Sequence, residues 1–173
     1  MLYKFDGKSP EVGQGAYVSE DAFVVGDVKI GDNCYVGHGA ILRGDYGSIF
    51  IGTGTAVEEG AIIHTPPNEV SLVGERVTIG HGAIVHSAKI GNLSVIGMGA
   101  VLSIRSEIGA NSIIAEGAVV KRGQVIPDGV VAGGNPAKVL RPISKKDIEF
   151  WEKGKETYID LARRYLAGAM EKL

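Results

Sequence analysis

The chain has 173 residues, a formal net charge of −2 and one cysteine. Such a balance argues against a nucleic-acid or anionic-membrane partner, and a lone cysteine excludes an internal disulfide framework. No apolar run reaches membrane-spanning length, and the opening stretch MLYKFDGKSPEV lacks a signal-peptide core, so one cytoplasmic domain with a terminal appendage is expected.

From Val12 the sequence falls into six-residue units: VGQGAY, VSEDAF, VVGDVK, IGDNCY, VGHGAI, and onward to IAEGAV, VKRGQV and IPDGVV. Position one is nearly always Ile, Val or Leu, position two is often Gly, and position five is small. A β-branched residue at position one suits a short strand over a narrow interior. Glycine beside it lets the backbone turn a tight corner, and the small residue fits next to the large one. One unit cannot bury its own face, so units must stack. Three units make a triangular coil, and coils stack at about 4.8 Å, the spacing of paired strands. Cys34 falls at position five and reads as a small core residue.

Unit starts run through Val36, Leu42, Ile51, Val57, Ile63, Val73, Ile79, Val85 and Ile90. Two steps are long. Three residues are inserted after Leu42, giving DYGSIF, and four after Ile63, giving TPPNEV, whose paired prolines cannot sit in a regular ladder. Three steps complete a coil, so Leu42, Ile63 and Val85 share one face, each followed by a polar residue: Arg43, His64 and His86. His64 and His86 are therefore expected to stack on adjacent coils, about 5 Å apart. Val36, Val57 and Ile79 share another face, with His38, Glu58, Glu59 and His81 just after them. His81 cannot easily reach His64 and His86 in its own subunit. A second subunit can bring it there, and a threefold arrangement does so three times and closes. That packing also directs Arg43 towards Glu58 or Glu59 of the neighbour. His38, at the same repeat position as His81, is expected to be simply solvated.

Beyond the repeats, Asn135–Pro142 reads as a corner. Ser144 with Asp147 three residues on marks a helix start. Ile148, Trp151, Tyr158, Ala162, Tyr165 and Ala169 follow at helical spacing, predicting an amphipathic helix of roughly 28 residues that covers one face, with Gly154 a place where it loosens. The division is residues 1–142 as the solenoid and 143–173 as the terminal helix, in one structural unit.

Three neutral imidazoles suit Zn²⁺ with a fourth position open to water, and Fe²⁺ or Co²⁺ also fits. An all-histidine set leaves the cation its full charge and lowers the pKa of bound water to about 7, a nucleophile for a small electrophile such as CO₂.

The runs LRGDYGSIFIG, VEEGAIIHT, TIGHGAIVHSAKIG, IGMGAV and GGNPAKVLR resemble the γ-class carbonic anhydrases and their close relatives over nearly the whole chain. The resemblance implies a left-handed parallel β-helix over roughly residues 10–135, an exception to the usual right-handed crossover. It implies a homotrimer with His64, His81 and His86 as metal ligands, one supplied by the neighbouring subunit, and reversible hydration of CO₂ to bicarbonate by metal-bound hydroxide. Arg43 and Asp45 match a pair used at the interface and near the site, and Tyr158 matches a tyrosine able to approach the pocket. Two departures stand out. Glu58-Glu59 replaces a common Gln-Asp, so Glu58 is a candidate proton acceptor where relatives orient hydroxide. The acidic loop that carries a shuttle glutamate is missing, Tyr46 follows Asp45, and Glu69 is either its substitute or a solvated loop residue. Two alternatives remain open: a metal-binding relative with little anhydrase activity, and a coenzyme-A-dependent acyltransferase of the same fold.

Overall fold

The computed structural model describes residues 1–171. Residues 172 and 173, the end of the expected 143–173 helix segment, lie outside the described residues.

From Val24 onward the unit starts point into the solenoid. Val24, Leu42, Ile63, Val85, Leu102 and Val120 form one buried row. Val36, Val57, Ile79, Ile96 and Ile114 form a second, and Ile30, Ile51, Val73, Ile90, Ile108 and Ile126 a third. Within each row the residues pair in parallel register, for example Leu42 with Ile63 and Ile63 with Val85. These rows define three faces, and the result is the left-handed parallel β-helix of hexapeptide repeats. The corners need residues without side chains. A Cβ on Gly52 would lie 2.5 Å from the Gly74 backbone one coil on.

The insertions are absorbed differently. DYGSIF stays within one continuous strand, Ile41–Ile51, whose pairing with Phe23–Ile30 shifts register so that Gly26 faces Gly44 but Val28 faces Ile49. These two strands run through a corner and join two faces into one sheet, while the third face forms its own. The second insertion leaves the ladder at Pro66 and re-enters at Val70–Val73, with Thr65 Oγ1 donating to Ser71 Oγ at 2.9 Å.

Both ends of the solenoid are finished off. Leu2–Tyr3 adds a strand beside Val24 and Val25 that the repeat pattern does not predict, because it precedes the first unit. At the other end Lys138–Pro142 folds back antiparallel on Val130–Gly133, so the expected corner is a hairpin.

The helix spans Lys145–Leu166, with Ser144 as N-cap and a reciprocal capping box to Asp147. It has 22 residues rather than roughly 28. Ala167 caps it, Gly168 follows at φ 79°, and Ala169 lies outside. A glycine in the left-handed region just past the last turn is a common stop. Gly154 does not interrupt the helix. The helix runs back over the face of Val36 and Val57. Trp151 sits beside Val95 and Ile113, Ala162 packs with Tyr35 and Ala56, and Tyr165 stacks on Tyr17 with ring centroids 4.6 Å apart. Arg76 anchors the middle by hydrogen bonds of 2.8 Å to both Glu152 and Glu156.

Candidate metal centre

Arg43, His64 and His86 stand side by side on three successive strands, Ile41–Ile51, Ile62–His64 and Ile84–His86. Parallel pairing without slip puts like positions one above another, so the two imidazoles stack with centroids 5.0 Å apart and planes 20° from parallel. Burial, the Arg43 guanidinium and His86 push the His64 imidazole below its ordinary pKa, which favours a neutral ring with a free lone pair. Among the described residues, His86 Nε2 is buried and meets no hydrogen-bond partner. A buried polar nitrogen left unpaired costs about 1–3 kcal/mol, a cost that a bound cation would remove. Arg43 donates to its own Asp45 at 2.9 Å, which fixes the guanidinium beside His64.

The adjoining edge carries the third histidine, among carboxylates. His81 Nε2 lies 3.1 Å from Glu58 Oε2, and His81 Nδ1 lies 2.8 Å from Glu59 Oε2. The His81 backbone N–H also donates to Glu58. Glu58 is 5% exposed and lies beside Tyr158 of the helix. Burial raises its pKa, while Tyr158 and His81 oppose the rise. Tyr35, fully buried, donates to Glu59 Oε1 at 2.5 Å. Burial and the Glu59 carboxylate hold the phenol protonated.

The histidines therefore stand where the repeat count places them: His64 and His86 together, His81 on a different face. Among the described residues, no three His, Cys, Asp or Glu side chains of one chain gather as a metal-holding group. The two stacked imidazoles and the buried lone pair on His86 fit a transition-metal cation that draws its remaining protein ligand from elsewhere.

Several other expectations are corrected or sharpened. His38 is not simply solvated: Nδ1 meets Ser19 Oγ at 2.7 Å, Nε2 lies 3.5 Å from Tyr165 Oη, and the ring sits edge-on to Tyr17. Glu69 is neither a free shuttle nor a solvated residue. It accepts from Arg105 Nε at 2.8 Å, and that guanidinium holds its carboxyl below the usual carboxylate range. Tyr46 is exposed. Cys34 lies in the core, its thiol pushed up to about 11 by burial. Tyr35 was not singled out from the sequence, although its position just before an inward Val, one coil from Tyr17, was the available signal.

The repeat family described as "Bacterial transferase hexapeptide (six repeats)" matches residues 9–44. A carbonic anhydrase of Geobacillus kaustophilus is 35% identical over 167 residues, spanning 96% of this chain and 92% of that protein. The chain belongs to the γ-carbonic-anhydrase-like hexapeptide-repeat family. The mitochondrial γ carbonic anhydrase 2 of Arabidopsis thaliana is also 35% identical, over 94% of this chain, but the chain spans only 60% of that longer protein. A second branch of relatives carries a different name: the carnitine operon protein CaiE of Proteus sp. is 37% identical over 98% of this chain and 86% of its own length. Among solved structures, a hexapeptide transferase family protein of Anaplasma phagocytophilum superposes with a TM-score of 0.91 at 35% identity, covering 95% of this chain and 98% of that one. Membership in the family thus spans proteins named for different chemistries, and the choice among them turns on the site residues.

Proposed function

We propose that this protein is a metal-dependent carbonic anhydrase that hydrates CO₂ reversibly at sites shared between subunits of a homotrimer. The observation that carries the reading is the stacked pair His64–His86, with a buried Nε2 that none of the described residues satisfies. An acyltransferase needs one histidine as general base and has no use for two aligned imidazoles. A second observation supports the assembly. Ile41, Ile62, Ile84, Val101 and Val119 form an apolar ladder outside the solenoid beside these histidines, and the described residues leave it partly exposed. A contiguous apolar row of this kind marks a surface that another molecule covers. A second copy bringing His81 onto that face supplies the third ligand.

His64, His86 and the neighbour's equivalent of His81 would hold Zn²⁺, or Fe²⁺ or Co²⁺. The cation supplies an acidified water as nucleophile near neutral pH. Glu58 stands beside Nε2 of His81 and close to Tyr158, with its pKa raised by burial, and serves as the proton acceptor. Arg43, held by Asp45, places positive charge beside the His64–His86 pair, where bicarbonate would form.

Purified protein without a histidine tag, assayed for metal per subunit and for CO₂ hydration by stopped flow, tests the proposal. One metal per subunit is expected, with activity falling more than about 100-fold in His64→Ala, a larger loss than removal of a supporting residue brings. Full metal without hydration, after loading with Zn²⁺, Co²⁺ or anaerobic Fe²⁺, would leave a metal-binding relative. No metal at all would restore the acyltransferase. Mixed His81→Ala and His86→Ala subunits test sharing: some interfaces in the mixture must regain metal, and none regaining it refutes a shared site.

A further inference from the structure

Glu58 and Glu59 are adjacent in sequence and both touch His81, yet their surroundings differ. Glu58 is buried and faces Nε2 at 3.1 Å. Glu59 faces Nδ1 at 2.8 Å with a side chain 36% exposed. An exposed glutamate has several accessible rotamers, and holding it in one costs conformational entropy. One phenol in the structure offsets that cost. Tyr35 Oη donates to Glu59 Oε1 at 2.5 Å, leaving Oε2 for the imidazole. The donor is rigid, because the Tyr35 ring lies against Tyr17, centroids 5.7 Å apart, and against Tyr158 of the helix at 5.2 Å. Space for the carboxylate comes from Gly37, two residues beyond Tyr35. A Cβ there would lie 2.6 Å from Glu59 Oε1. A buried donor, a vacated position and a carboxylate bridging phenol to imidazole converge on one ring nitrogen.

We infer that Tyr35 and Glu59 form a positioning pair for His81, in which Tyr35 fixes the Glu59 carboxylate, Glu59 holds Nδ1–H, and Nε2, which here faces Glu58, is the nitrogen that would take the cation. The inference rests on the metal reading above. Histidines that ligate metals generally donate their other N–H to a carboxylate or carbonyl, which fixes the tautomer and ring orientation. Here the supporting shell extends one residue further, through a tyrosine clamped by the terminal helix. Helix docking is thereby coupled to the aim of a ligand at the opposite edge of the same face.

Zinc affinity of the full-length protein, measured by chelator competition, gives the test for Tyr35→Phe, Glu59→Gln, Gly37→Ala and the Tyr35→Phe/Glu59→Gln double variant. Glu59→Gln is expected to weaken zinc binding about 10–100-fold, and Tyr35→Phe and Gly37→Ala about 10-fold. The double variant should be no weaker than Glu59→Gln alone, because both act along one path. In the zinc-loaded protein, ¹⁵N spectra should show His81 coordinated through Nε2 with a proton on Nδ1. A Tyr35→Phe effect that adds in full to that of Glu59→Gln would make Tyr35 a packing residue and overturn the pairing. So would wild-type affinity in Tyr35→Phe and Gly37→Ala, or coordination through Nδ1. A wild-type protein that takes up no zinc would overturn the metal reading itself, and this inference with it.

Discussion

The histidine face and the helix face are made from the same unit. Each has an inward row of Ile, Val or Leu, and each has an outward row one residue earlier. On the helix face that row is Tyr17, Tyr35, Ala56, Thr78, Val95 and Ile113, and the chain's own helix covers it. On the histidine face it is Ile41, Ile62, Ile84, Val101 and Val119. There it remains half-buried or, at Ile84, 40% exposed. One apolar ladder is covered within the chain; the other is left partly open among the described residues. In a solenoid the inward row therefore reports the fold, and the outward row reports what the fold is packed against.

The sharpest way to break this comparison uses two neighbouring residues. Val85→Glu puts a charge into the core and is expected to abolish folding. Ile84→Glu, one residue earlier and pointing outward, should leave the circular dichroism spectrum intact while dissociating the proposed trimer. The expected cost is more than about 3 kcal/mol per interface for an unpaired buried charge. Sedimentation of Ile84→Glu indistinguishable from that of the wild type would remove the histidine face from the proposed interface.

On the covered face, Lys155 is buried over Trp151, its ammonium 5.8 Å from the ring centroid. Burial lowers its pKa from an ordinary 10.5 to about 8. Below about pH 8 both folded and unfolded chains carry the charge, and the folded state bears the full cost of burying it. Between about 8 and 10.5 the unfolded chain binds more protons, so stability rises with pH. Lys155→Met is expected to raise stability at pH 7 by up to about 3 kcal/mol, with the gain vanishing near pH 10.5. Denaturant titrations at both pH values check this, and a gain independent of pH would contradict it. The smallest effect concerns the start of the helix. Ser144→Ala removes the N-cap and should cost about 1 kcal/mol, seen as a modest drop in melting temperature with no change in assembly.

Much of this was legible in the sequence because the hexapeptide fixes direction. Once position one points inward, counting starts decides which residues share a face, and the stacking of His64 on His86 follows. The count fails where partners come from outside the repeat. His38 looked solvated because Ser19 lies one coil away and Tyr165 lies 127 residues on, in the helix. Glu69 looked free because Arg105, 36 residues later, stacks over its loop only after the four-residue insertion is placed. The helix was read too long because Ala169 continued the apolar spacing, although Gly168 was the better signal. Tyr35 sits just before an inward valine, a position the hexapeptide rule leaves without a role.

The helix begins at the last coil and ends against the first, where Tyr165 stacks on Tyr17. Arrays of stacked units ordinarily interact only with their neighbours, so they can unravel from either end without disturbing the middle. Here the chain loops its own tail over the starting coil and ties the two ends of a one-dimensional array together. Fraying of the first turn must then also undock the helix, so the solenoid melts as one cooperative unit rather than peeling coil by coil.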